Sequence, residues 1–221
     1  MTLRIACADG LDRDRAVAAA HAAVRRGDLV VIPTESVYAV AADAFSSRGV
    51  AALRDAKGTD AGVPLPVMVG RRATVAGIAL RVSDDAQRLI EAFWPGPLTI
   101  LLVPQPTLAW DLPRESSIAV RMPLHPLTLA VLDRTGPLAV TTANLPGLAA
   151  PPDVNDALAQ LGDAVAVALD VGTLLDVAAL PSTVIDATGE TTVVVRLGAL
   201  SIDEVRRICP DVRTGYDDAD A

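Results

Sequence analysis

Polar and cationic residues stand beside apolar, strand-like runs throughout this chain: Thr34, Lys57, Arg121, Thr142, Asn144, Ser182 and Arg196. One such residue says little, because strands often end in polar groups. Seven of them, three cationic, describe a shared rim suited to an anion, since charged donors make the strongest hydrogen bonds to carboxylate and phosphate. Lys57 is the only lysine; every other basic side chain apart from two histidines is an arginine. An ammonium is a point charge and a guanidinium a planar fork, so the two serve an anion differently. Lys57 also reads as a loop residue flanked by glycine. These residues alone imply an anion-binding α/β domain, a nucleotide being one anion of that kind.

Several chemistries lack their signature. The chain has no GxxxxGK[ST], no GxGxxG, no HExxH and no CxxC, so a P-loop, a dinucleotide fold and a zinc site are unsupported. His21 falls in an Ala-rich helical stretch, and His125, between Pro123 and Pro126, reads as ordering a turn. The formal net charge of −8 disfavours extended nucleic-acid binding but leaves room for a local basic pocket. No apolar run is long enough to span a membrane, the N-terminus lacks a signal-peptide pattern, and Cys7 and Cys209 are too far apart in sequence to suggest a disulfide framework. A soluble, cytoplasmic protein is expected.

The elements that must position the rim follow from periodicity and turn chemistry. Leu29–Ile32 reads as a buried strand, after which Thr34-Glu35-Ser36 marks a passage from strand to helix, with Tyr38 one turn further on. Helices are expected over 13–26 and 48–56, from Ser83 to Phe93, over 127–134, from Pro151 to Leu161 and from Ser201 to Ile208. Further strands are expected over 98–103, 117–122, 138–142, 165–171, 182–186 and 192–196. Residues 63–69 read as an edge or partly paired strand because of Pro64 and Pro66. Several connections are too short for crossover helices, so the sheet is mixed. The expected organisation is a segment 1–12, one domain 13–208 and a mobile acidic tail 209–221.

Six stretches, IPTESVYAVAADA, FWPGPLTI, VRMPLHP, AVTTANLPG, PSTVID and VRLG, occur in an order and spacing that resembles the family of threonylcarbamoyl-AMP synthases, the YrdC/Sua5/YciO group. The likeness covers roughly residues 13–208 and corresponds to the short form, without the extra C-terminal domain of longer members. It implies a twisted mixed sheet flanked by helices around a central basic cavity. There L-threonine, bicarbonate and ATP (with Mg2+) would give threonylcarbamoyl-adenylate and pyrophosphate, and a separate tRNA threonylcarbamoyl transferase would use the product to modify adenosine 37. By the same resemblance Thr34, Tyr38, Arg121 and Ser182 fall at threonine-site positions. Lys57, Ser117, Thr142, Asn144 and Arg196 fall at or beside ATP-site positions, and Lys57 and Arg121 are the expected catalytic pair. No metal ligand is expected from the protein.

The chain also departs from its relatives. The family's Lys-x-Arg pair is Lys57-Gly58-Thr59 here, so a cation is missing unless Arg54 or Arg71 replaces it. Met68 stands where a histidine is common, Ala39 and Ala41 where glycines are common, Thr142 for a serine and Pro146 for another. The lost arginine implies impaired synthesis. The alternative it raises is a divergent paralogue that binds nucleotide, or weakly RNA, without making this product.

Overall fold

A computed structural model of the chain describes residues 1–7, 10–60, 63–111, 116–174 and 180–215. Its strands are β1 (Leu3–Ala6), β2 (Leu29–Pro33), β3 (Tyr38–Asp43), β4 (Val67–Met68), β5 (Leu98–Leu102), β6 (Ile118–Arg121), β7 (Leu138–Thr142), β8 (Val165–Asp170), β9 (Thr183–Asp186), β10 (Val193–Arg196) and β11 (Arg213–Thr214). They form one mixed, twisted sheet in the order β1-β8-β2-β3-β7-β4-β6-β5-β9-β10-β11. The helices are α1 (Gly10–Arg25), α2 (Ser47–Lys57), α3 (Val75–Ile78), α4 (Asp84–Phe93), α5 (Pro126–Thr135), α6 (Val154–Leu161) and α7 (Ile202–Ile208). Four have the side-chain caps their sequences imply: Ser46, Ser83, Asp153 and Ser201 each accept a backbone N–H of the first turn.

The continuous apolar run of β2 is explained by burial on both faces. Val30 and Ile32 pack with Ala16, Ala20 and Val24 of α1 and Val131 of α5. Leu29 and Val31 belong to the opposite layer, with Leu53 of α2, Leu89 of α4 and Trp94. A strand covered on both sides has no polar face to alternate with, which is why its sequence carries no period of two.

The stretch after β2 differs from expectation. Residues 34–37 form the loop of a β-hairpin, because Pro33 pairs with Tyr38 and β3 runs antiparallel to β2. Thr34 closes that loop twice, its N–H and its hydroxyl both donating to Val37 O at 3.0 and 2.5 Å. No helix N-terminus therefore points at the rim here. The alanines of YAVAADA favour helix locally, but β3 pairs with β2 on one side and β7 on the other, and pairing plus burial override that preference.

Residues 63–69 yield only the two-residue β4, partly paired as its prolines require but lying between β7 and β6 rather than at an edge. The N-terminal segment contributes β1, parallel to β8. Residues 209–215, read as part of a mobile tail, are instead packed: Cys209 and Val212 are buried and β11 pairs with β10. Residues 216–221 lie outside the described residues. Lys57 is not a loop residue; it ends α2, and Gly58 (φ +58°) supplies the left-handed turn that stops the helix.

Candidate functional site

Strand register assembles the site. Met68 pairs with Arg121, Arg121 with Thr99, Thr99 with Val184, and Val184 with Arg196. Directly paired residues present their side chains to the same face of a sheet, so these five form one row across β4, β6, β5, β9 and β10. With strands about 4.8 Å apart, the backbones of Arg121 and Arg196 are separated by roughly 14 Å measured along the sheet. All five residues line a cavity of about 540 Å³, together with Thr34, Thr142 and Ser182. The other lining residues are apolar or carry hydroxyls, so two arginines are the cavity's charged groups among the described residues.

A β-bulge places the second arginine. Val194 pairs with Ile185, yet Arg196 rather than Val195 opposes the next residue, Val184. The extra residue turns Arg196 onto the cavity face and leaves Val195 exposed. Arg196 Nη2 donates to Ser182 O at 2.8 Å, and Ser182 Oγ is 2.8 Å from Thr99 Oγ1. Gly198, the glycine of VRLG, permits this packing: a Cβ there would lie 2.0 Å from Pro181 O.

Arg121 is half-buried at the end of β6. Its Nε donates to Gly96 O at 3.1 Å, and its Nη2 lies 3.0 Å from Glu35 Oε2 in the hairpin loop. Thr34, buried at the same rim, follows β2.

Lys57 has a different setting. It is 6% exposed and does not line the cavity. Its ammonium donates to Thr142 O at 2.8 Å, to Asn144 Oδ1 at 3.0 Å and to Asn144 O. An ammonium has three donors, and all three are taken. Thr142 Oγ1 adds a bond to Asn144 Oδ1 at 2.5 Å, and Asn144 Nδ2 donates to Leu148 O at 2.7 Å. Lys57 therefore holds the turn after β7 beneath the rim, and burial lowers its pKa from the ordinary lysine value.

Three further expected residues lie off the cavity: Asn144 in the turn just described, Tyr38 and Ser117. Tyr38 is fully buried, donating to Gly172 O at 2.7 Å and accepting from Val171 N at 3.0 Å. Burial pushes its hydroxyl up to about 12, against the opposing pull of the Val171 N–H. Ser117 precedes β6 and so stands at the end of that strand opposite Arg121, about 13 Å away at strand spacing.

Neither candidate replacement for the missing arginine is free. Arg54 is 5% exposed and bound to the Asp111 carboxylate, with further bonds to Asp111 O and Val63 O. Arg71 pairs with Asp133 on the exposed surface beside α5. Thr59 Oγ1 is buried without a hydrogen-bond partner among the described residues. Two residues that the sequence reading did not assign to the site belong to its geometry: Thr99, the one hydroxyl in the apolar run LTILL, and Glu35, the acid of the hairpin loop. A lone polar residue in a buried strand was the signal for the first. Nothing local distinguished Glu35 from Ser36.

A family model described as "Telomere recombination" (Sua5, yciO and yrdC) matches residues 22–198. The chain belongs to this family. A Mycobacterium tuberculosis (strain H37Rv) protein provisionally named threonylcarbamoyl-AMP synthase is 43% identical over 209 residues, covering 94% of this chain and 95% of that one. The threonylcarbamoyl-AMP synthase of Pyrococcus abyssi is 30% identical over 197 residues, covering 86% of this chain and 56% of that protein. The crystal structure of P. abyssi Sua5 complexed with L-threonine superposes with a TM-score of 0.84 at 26% identity, over 100% of this chain and 64% of the longer one. Among the described residues no helix is long and apolar enough to cross a membrane.

Proposed function

We propose that the protein makes L-threonylcarbamoyl-adenylate from L-threonine, bicarbonate and ATP, releasing pyrophosphate, for the t6A modification of tRNA adenosine 37. The observation that carries this reading is the register row with Arg121 at one place and Arg196 three strands away on the same cavity wall. Two separated cations suit a reaction that must hold a carboxylate and a phosphate at once.

In this reading Arg121 takes the α-carboxylate of threonine, and Thr34 and Ser182 offer hydroxyls to the amino acid. Arg196 faces the nucleotide phosphates, with Thr142 and the Lys57-braced Asn144 turn at the same rim. The threonine amine attacks carbon dioxide and loses a proton to give a carbamate; attack on bicarbonate gives the same carbamate with loss of water. A carbamate oxygen then attacks the α-phosphorus of ATP and pyrophosphate leaves. The chain needs no nucleophilic side chain of its own; fixed cations offset the repulsion between anions and the charge that develops at phosphorus. The cavity lining offers hydroxyls but no carboxylate, and so does not fit a resident magnesium. The metal belongs to the substrate, carried by triphosphate oxygens and water.

The test is pyrophosphate release by the purified protein with ATP and Mg2+. Release that requires both L-threonine and bicarbonate supports the reading. Binding of ATP without any threonine-dependent release overturns it and leaves a nucleotide-binding member of the family.

A further inference from the structure

Arg121 is held at two of its three nitrogens. Nε donates to Gly96 O at 3.1 Å, and Nη2 lies 3.0 Å from Glu35 Oε2 in an ion pair. Nη1 has no partner among the described residues. Glu35 is itself fixed twice over. It sits in the four-residue hairpin loop closed by Thr34 and Val37, and its second oxygen accepts the Leu124 N–H from the turn after β6. Arg121 lines the cavity and Glu35 does not. The carboxylate therefore braces the arginine from behind rather than meeting a ligand.

We propose that Glu35 is the positioning residue of the anion site, holding the Arg121 guanidinium in place while Nη1 stays free for a ligand. An arginine on a flexible side chain can swing between several placements. Here Nε and Nη2 are engaged by the protein, and the guanidinium is fixed before a carboxylate arrives. This rests on the reading that Arg121 takes the carboxylate of threonine. At side-chain exposures of 21% and 23% the pair adds little to stability; its effect lies in orientation, and misplacement of a binding group is felt strongly in function.

The experiment compares wild type with Glu35→Gln by two measurements. The first uses no ligand: nitrogen-15 spectra of the arginine side chains, with Arg121 assigned from its loss in Arg121→Met. Resolved Nη signals in wild type that collapse through free rotation in Glu35→Gln are expected; signals that stay unchanged overturn the inference. The second is calorimetry with L-threonine and L-threoninamide, which lacks the carboxylate. We expect about tenfold weaker threonine binding in Glu35→Gln, the range of one charge-assisted hydrogen bond, with threoninamide binding unaltered. Glu35→Gln should also cost nothing further in the Arg121→Met background. Equal weakening for both ligands means a general structural role and overturns the inference. Should wild type bind no threonine while its Arg121 signals still depend on Glu35, the proposed function fails and the positioning role stands.

Discussion

The ends of β6 and α2 each carry a cation, and the two have opposite fates. Arg121 is engaged by Gly96 and Glu35 through Nε and Nη2, lines the cavity and keeps Nη1 unspent among the described residues. Lys57 spends all three donors on Thr142 and Asn144 and is closed off from it. The difference follows from geometry. A guanidinium has five N–H groups in a plane and can be held and still bind, whereas an ammonium wrapped by three oxygens has nothing left to offer. A cation near a site is thus not equivalent to a cation in it; the count of unspent donors separates them.

Adding charge at the closed end is the strongest way to break this comparison. Thr59→Arg supplies the cation that Arg54 and Arg71 do not. It should raise threonine- and bicarbonate-dependent pyrophosphate release on the order of a hundredfold, the usual worth of one preorganised donor. A wild-type protein already working at an ordinary enzyme rate, with no gain in the variant, would show that Arg121 and Arg196 suffice.

Arg121→Lys sharpens it from the other side. A point charge cannot reproduce the fork, so calorimetric affinity for L-threonine should fall by roughly tenfold or more while the melting temperature hardly moves. Unchanged affinity would remove Arg121 from the site.

Lys57→Met should do the reverse and act first on stability. It removes three charge-assisted hydrogen bonds from the part-buried Asn144 turn, a loss of about 2–4 kcal/mol. In a domain of this size that is a drop in melting temperature of roughly 5–10 °C by differential scanning calorimetry. A variant that melts like wild type yet has lost turnover would place the ammonium on a ligand after all.

The smallest effect concerns Tyr38. Its hydroxyl titrates at about 12 in the fold against 10.0 for the free side chain. Between those values the unfolded chain has lost a proton that the folded chain keeps, so stability falls as pH rises from about 10 to about 12. Urea titrations across that range should show the slope reduced in Tyr38→Phe, which has no proton to release. An identical slope in both proteins would assign the alkaline loss to other groups.

Most of the architecture was readable because local signals agreed with burial. Capping serines and Asp153 marked helix starts, and apolar runs bounded by Gly or Pro marked strands. The exceptions are physical. The alanines of β3 look helical until two neighbouring strands pair along both edges and the layers on either side bury both faces. β11 is only two residues long, and β1 buries Ile5 alone, so neither carries an apolar pattern to detect. Within the site, residue types were legible and their company was not: Arg121, Ser182, Thr34, Thr142 and Arg196 share a cavity wall, while Lys57, Asn144, Ser117 and Tyr38 lie off it. Which side chains meet depends on register between strands distant in sequence, and no single stretch of chain encodes that.

The bulge in β10 makes the place of Arg196 a matter of counting. Side chains on a strand alternate, so from Val194 onward the number of residues sets which face each one takes, as parity does in a sequence of coin turns. In a regular ladder Val195 would oppose Val184 on the cavity face, with Arg196 on the buried face that Val194 occupies. One supernumerary residue reverses that assignment. Deleting Val195 would bring Arg196 opposite Val184 by ordinary alternation and keep the cation on the cavity face. Deleting Thr192, one position before the strand, would leave the parity at Arg196 untouched. Reach into the cavity is thereby written as an integer rather than as an amino-acid type.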